Sequence, residues 1–120
     1  MRIYGYFNLS DEPVVELGIG WSRLELLVDT GFNGSLIVPS QIANRLDLRF
    51  EGPEEFQSVT GEVFLADAYS VELDWFSDRV RVAVAASKHV NEAILGGNML
   101  KDCRLMIDYG NRAVMIEASY

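Results

Sequence analysis

Apolar and polar residues alternate with period two along much of this chain. Arg23 and Glu25 are set against Leu24, Leu26 and Val28, and Arg79 and Arg81 against Val80, Val82 and Val84. Each set predicts a strand buried on one face, because successive side chains of a strand point to opposite sides. Turn-forming residues separate such stretches at Asp11-Glu12-Pro13, Gly18 to Gly20, Glu51-Gly52-Pro53, Thr60-Gly61, Ser77-Asp78 and Gly110-Asn111. That regular spacing is expected of a small β-sandwich or barrel. Two short helices are expected within it. Pro39-Ser40 opens Gln41 to Leu46, where Ile42, Ala43 and Leu46 line one side, and Asn98 is placed to cap Met99 to Cys103. No repeat, low-complexity tract or Pro/Ser-rich linker interrupts the 120 residues, so residues 1–120 are read as one domain of ordinary size with one core.

Composition narrows the functional classes. A formal net charge of −8 and a pI near 4.5 argue against nucleic acid as a partner, since such binding needs clustered Lys and Arg to displace counterions. No stretch approaches the roughly 18 apolar residues of a membrane helix, and the first residues lack the apolar core and cleavage site of an export signal. The expectation is a soluble, cytoplasmic protein without membrane contact. Cys103 is the single cysteine, which forbids an intrachain disulfide and agrees with a reducing compartment. His89 has no His or Cys neighbour to complete a zinc set, so no metal or other cofactor is expected. Ser35 lacks the Gly-x-Ser-x-Gly elbow, Cys103 has no evident base, and Gly18-Ile19-Gly20 lacks the third glycine of a dinucleotide site.

What remains is Asp29-Thr30-Gly31. The apolar run Leu26-Leu27-Val28 leads into it, and Leu36-Ile37-Val38 follows a short Gly-containing loop. Chance supplies an Asp-Thr-Gly in roughly two or three per cent of chains this long, and most such carboxylates cap local backbone N–H groups. The flanks carry the case, because they deliver a carboxylate from the end of a buried strand. Leu27 to Pro39 resembles the active-site segment of the retroviral-type (retropepsin-like) aspartic proteases, particularly their bacterial and archaeal single-domain branch. Ala93-Ile94-Leu95-Gly96-Gly97-Asn98-Met99-Leu100 resembles that family's second signature, and Leu105 to Tyr109 the strand after it.

The resemblance implies a closed all-β acid-protease barrel with one or two short helices, one lobe per chain. It also implies an aspartic endopeptidase. Peptide hydrolysis by carboxylates needs one group ionised to take a proton from water while a protonated neighbour supports the carbonyl oxygen, and two carboxyls forced together share one proton in this way. Only one such loop exists here, so Asp29 as catalytic residue requires Asp29 of a second subunit, which a two-fold homodimer supplies. Thr30 is expected to brace the opposing loop, and Gly31 to allow close approach of backbone and substrate. Phe32 departs from the small residue usual after the Gly, which bears on the shape of the cleft. Asn98, where many relatives carry Asp, is read as structural.

Phe56 to Phe64 reads as a hairpin turning at Thr60-Gly61 and resembles the family's flap, which closes over an extended polypeptide substrate. Val59, Thr60, Gly61 and Val63 are its candidate substrate-binding residues. Relatives interleave their termini, so Met1 to Phe7 and Ala113 to Tyr120 are candidates for the dimer interface. The alternative function is a peptide-binding or oligomerisation module that keeps this fold without cutting.

Overall fold

Alternation of side chains explains most of the architecture. The computed structural model of the chain describes residues 1–58 and 60–119, and only the backbone at positions 56 and 66. Its strands are β1 (Arg2–Phe7), β2 (Pro13–Ile19), β3 (Ser22–Asp29), β4 (Leu36–Pro39), β5 (Arg49–Gln57), β6 (Val63–Trp75), β7 (Asp78–Ser87), β8 (Ile94–Gly96), β9 (Cys103–Asp108) and β10 (Ala113–Ala118). They hydrogen-bond in the order β5-β6-β7-β4-β8-β3-β2-β1-β10-β9. An additional pairing of β2 with β6, at Ile19 and Leu73, joins β2, β3, β8, β4, β7 and β6 into a closed six-stranded barrel. The all-β, closed architecture expected from the sequence is thus present. β5 and β9 are left as the outermost strands.

Inside the barrel Leu26, Leu36, Val38, Leu73, Val84 and Leu95 belong to one buried cluster. Fully burying a side chain of this size contributes about 1.5–3 kcal/mol, so this cluster is the main source of stability. The intervening residues of the same strands, Ile37 of β4, Ala85 of β7 and Ile94 of β8, join Phe32, Phe64 and Val90 in a second, smaller cluster. β4 is buried at all four positions because it packs on both faces, which accounts for its unbroken apolar run.

Several local expectations are corrected. Glu51-Gly52-Pro53 is not a turn: β5 runs through it with a register shift between Phe50 and Gly52, and Gly52 takes φ +112°. A glycine bulge and a proline are tolerated there because β5 is an edge strand. The first helix is shorter than expected. α1 covers Ser40–Ala43, and the chain continues by i→i−3 bonds from Arg45 N–H to the Ile42 carbonyl and from Leu46 N–H to that of Ala43. Leu46 is still buried, as its apolar character requires. The second helix is a 3-10 turn over Gly97–Leu100 with Gly96 at its N-cap, so Asn98 lies inside the turn and Cys103 already begins β9.

The terminal strands are paired within the chain. β1 runs against β10 from Arg2–Glu117 to Tyr6–Ala113, and β9 covers the other side of β10 from Cys103–Ala118 to Asp108–Ala113. Met1 to Phe7 and Ala113 to Ala118 therefore already direct much of their backbone hydrogen bonding to each other; Tyr120 lies outside the described residues. No helix among the described residues is long and apolar enough to cross a membrane.

Candidate active site

Asp29 is the last residue of β3. By period two it shares the face of Leu27 and not the core face of Leu26 and Val28, which are buried. Parallel pairing of β3 with β8 sets Leu27 beside Ile94, Val28 beside Leu95 and Asp29 beside Gly96. Parallel partners point to the same side, so the register that buries Val28 and Leu95 delivers Asp29 to the side where Ile94 joins the smaller cluster.

The loop after Asp29 is held by its own carboxylate and by the second motif. Asp29 Oδ1 accepts a hydrogen bond from Gly31 N–H at 2.9 Å, and Phe32 N–H donates to the Asp29 carbonyl at 3.2 Å. From the other side, Gly96 N–H donates to the Ser35 carbonyl at 2.8 Å, Gly97 N–H to that of Phe32 at 2.7 Å and Asn98 N–H to that of Gly34 at 3.1 Å. The Asn98 side chain donates to Ser35 Oγ at 2.7 Å, consistent with a structural part for Asn98. Three backbone bonds and one side-chain bond thus clamp the loop of residues 30–35 onto the end of β8 and the turn that follows it.

Phe32 turns inward and is only 8 % exposed. A Cβ built on Gly34 would come within 2.5 Å of the ring at Cζ, and one built on Gly96 within 2.5 Å at Cδ2. The two glycines make the space that the phenyl ring fills. This was not foreseen from the sequence, where Phe32 stood only as a departure and neither glycine was connected to it.

Beside Asp29 lies a cavity of about 160 Å³ lined by Asp29, Gly31, Phe32, Ile37, Gln57, Ser58, Phe64, Val90 and Ile94. Its walls are apolar apart from Asp29 and the two polar residues of the hairpin. Larger hollows exist, such as one of about 440 Å³ along Glu16, Arg23, Asp74 and Arg79, but charged side chains and ion pairs wall that one. Among the described residues, no group of three or more His, Cys, Asp or Glu side chains is placed to hold a metal ion.

The hairpin expected as a flap is formed by the end of β5 and the start of β6, with Gln57 opposite Val63. Ser58 N–H donates to the Glu62 carbonyl at 2.8 Å and Gly61 N–H to the Ser58 carbonyl at 3.0 Å. Gly61 has φ +88°, a conformation that favours glycine. Ser58 and Thr60 hydroxyls lie 2.9 Å apart. Val59 lies outside the described residues. Thr60, Gly61 and Val63 sit at the turn and do not line the cavity; Val63 is 62 % exposed. Its neighbour Phe64 takes the inward position, together with Gln57 and Ser58. Period two across the hairpin was the signal for Phe64, since it alternates with the exposed Val63 and Leu65.

Neither a family model nor a curated protein matches this sequence. Solved structures do match in three dimensions. A retropepsin-like aspartic protease from Rickettsia conorii superposes with a TM-score of 0.69 at 13 % identity, covering 98 % of this chain and 91 % of that one. The EIAV protease, in complex with the inhibitor HBY-793, gives a TM-score of 0.65 at 22 % identity over 80 % of this chain and 91 % of that one. The fold of this chain is therefore retropepsin-like, in agreement with the resemblance carried by the two motifs.

Proposed function

We propose that this protein is an aspartic endopeptidase whose working unit is a homodimer, in which a water between Asp29 and its symmetry mate attacks the scissile carbonyl. The observation that carries this reading is the placement of Asp29: a carboxylate at a strand end, fixed by Gly31 N–H at 2.9 Å, bordering an apolar cavity roofed by a hairpin. One carboxylate cannot act at once as general base and general acid, whereas two related by a two-fold axis share a proton and divide the roles. The likeness in fold to the two solved proteases supports the same reading.

Thr30 fits it as well. Its side chain is exposed and makes no hydrogen bond among the described residues, so its hydroxyl is available to the backbone of a facing loop. An extended peptide would lie between the Asp29 loops and the hairpin, adding its backbone as a strand while the hairpin excludes water. Met1 to Phe7 and Ala113 to Tyr120 remain the candidates for the interface; within one chain β1 and β10 pair with each other, and β9 is the outermost strand of that sheet.

The test is cleavage of unfolded proteins and peptide libraries by wild type and Asp29→Asn between about pH 3 and 7, with the oligomeric state measured in parallel. Cleavage by the wild-type dimer alone is the expected result. A strictly monomeric chain at high concentration, or equal cleavage by both proteins, overturns it. A dimer that binds peptides and cuts none at any pH would make the protein a peptide-binding module.

A further inference from the structure

Resting on the peptidase reading above, we propose that Phe32 sets the size of the apolar subsite beside Asp29, so that it admits one branched aliphatic side chain or a single six-membered ring and turns away the indole of tryptophan. The cavity there measures about 160 Å³. An apolar protein cavity of about 150 Å³ takes up one benzene molecule, which fixes the scale: room for one such group and no second ring. Phe32, Ile37, Phe64, Val90 and Ile94 form the apolar wall, and a charged side chain would lose its hydration there without a compensating partner other than the catalytic carboxylate.

Among these walls Phe32 is the one that cannot retreat. Its N–H is tied to the Asp29 carbonyl and its own carbonyl to Gly97 N–H. Behind the ring, the positions of Gly34 and Gly96 are so close that even a methyl group on either would come within 2.5 Å of it. Ile37 and Ile94 stand on barrel strands to one side, while Phe64 stands on the hairpin arm and moves with it if the hairpin opens. Once the hairpin is closed over a peptide, Phe64 is held in place as well, and the ring of Phe32 has no room behind it. The ring therefore acts as a fixed stop, and its size decides the depth of the subsite. A smaller residue at position 32 would leave the same backbone and a deeper pocket.

The experiment compares cleavage-site profiles of wild type and Phe32→Leu on one peptide library, with Phe32→Val as a second variant should Phe32→Leu fold poorly. Wild type is expected to disfavour Trp relative to Leu by 10-fold or more at one position adjoining the scissile bond, the scale on which apolar pockets discriminate by size. Phe32→Leu is expected to erase most of that difference. Profiles that coincide overturn the inference while leaving the peptidase reading intact. If no chain cleaves anything, the peptidase reading fails by itself, and the subsite is decided by titrating N-acetyl-leucinamide and N-acetyl-tryptophanamide into methyl-labelled protein. Shifts at Ile37 and Ile94 with the leucine amide alone, joined by the tryptophan amide only in Phe32→Leu, uphold the size stop. Equal response to both amides, or to neither, removes it.

Discussion

Phe32 and Gly96 are in mutual contact across the two motifs: a Cβ on Gly96 would stand 2.5 Å from the Phe32 ring, 2.8 Å from the Phe32 carbonyl oxygen and 2.1 Å from that of Gly34. Two of these three neighbours are backbone atoms held by the clamp between the motifs. Gly96→Ala should therefore destabilise at or above the upper end of the roughly 1–3 kcal/mol typical of overpacking, and no change at position 32 should repair it. Gly34→Ala is a different case, because the three atoms nearest its Cβ all belong to the Phe32 ring, Cζ at 2.5 Å and Cε1 and Cε2 at 3.1 Å. Phe32→Leu should relieve that clash in part. Denaturant unfolding of the single and double variants separates the two cases, and equal rescue of both alanines would contradict the geometry.

Thr30 offers a test that concerns association alone. Its hydroxyl has no partner among the described residues of its own chain, so Thr30→Val should leave the unfolding of the isolated chain within about 0.5 kcal/mol of wild type, as for a surface change. In the dimer, two symmetry-related hydrogen bonds at about 0.5–1.5 kcal/mol each would be lost. The dimer Kd should weaken by roughly 5- to 150-fold. Sedimentation equilibrium at several loading concentrations measures this directly, and an unchanged Kd argues that Thr30 does not face the second subunit.

The sequence made the strand leading to Asp29 legible because its burial pattern is local: Leu26 and Val28 point one way, Leu27 and Asp29 the other. The hairpin at Thr60-Gly61 was legible for the same reason, since a positive φ demands glycine within a few residues of chain. Non-local consequences were not. Nothing near Phe32 says that Gly96, far along the chain, leaves the space for its ring, so the residue stood out only as a departure from a family pattern. Gly52 and Pro53 signal a turn in most contexts, and only the position of β5 at the edge of the sheet makes them tolerable inside a strand. Asn98 has a good capping side chain, but it lies inside the 3-10 turn Gly97–Leu100, whose N-cap is Gly96, and its amide bonds to Ser35 instead. The pairing of β1 with β10 joins the two ends of the chain, a contact no local pattern can announce.

Asn98 and Ser35 form the one side-chain bond of that clamp, 2.7 Å from Nδ2 to Oγ. Asn98→Ala should cost about 0.5–1.5 kcal/mol, the net contribution of a single neutral hydrogen bond. Asn98→Asp should cost less, since the Ser35 hydroxyl can rotate and donate to a carboxylate where it previously accepted from an amide. Ser35→Ala removes the partner of either side chain, so adding it to wild type and to Asn98→Asp should bring the two to similar stability. Urea denaturation of these variants at neutral pH reads the differences. A loss from Asn98→Asp as large as that from Asn98→Ala would show that the hydroxyl cannot turn.

Tyr6 and Glu25 tie the terminal sheet to the strand that carries Asp29. The Tyr6 hydroxyl donates to Glu25 Oε2 at 2.6 Å. That hydrogen bond, with desolvation and the Glu25 charge adding to it, pushes the Tyr6 pKa up to about 12. A proton held more tightly in the folded chain than in the unfolded one stabilises the fold at every pH below the ordinary tyrosine value of about 10, and that contribution disappears as pH rises from there through about 12. Alkaline unfolding of wild type should therefore steepen across that window. Glu25→Gln keeps an acceptor but removes the charge, so Tyr6 should titrate nearer its ordinary value and the same window should flatten. Absorbance titration of the tyrosinate band, in wild type and in Tyr6→Phe, identifies which of the five tyrosines ionises last. If the late-ionising tyrosine survives Tyr6→Phe unchanged, the link between β1 and β3 is not made through this pair.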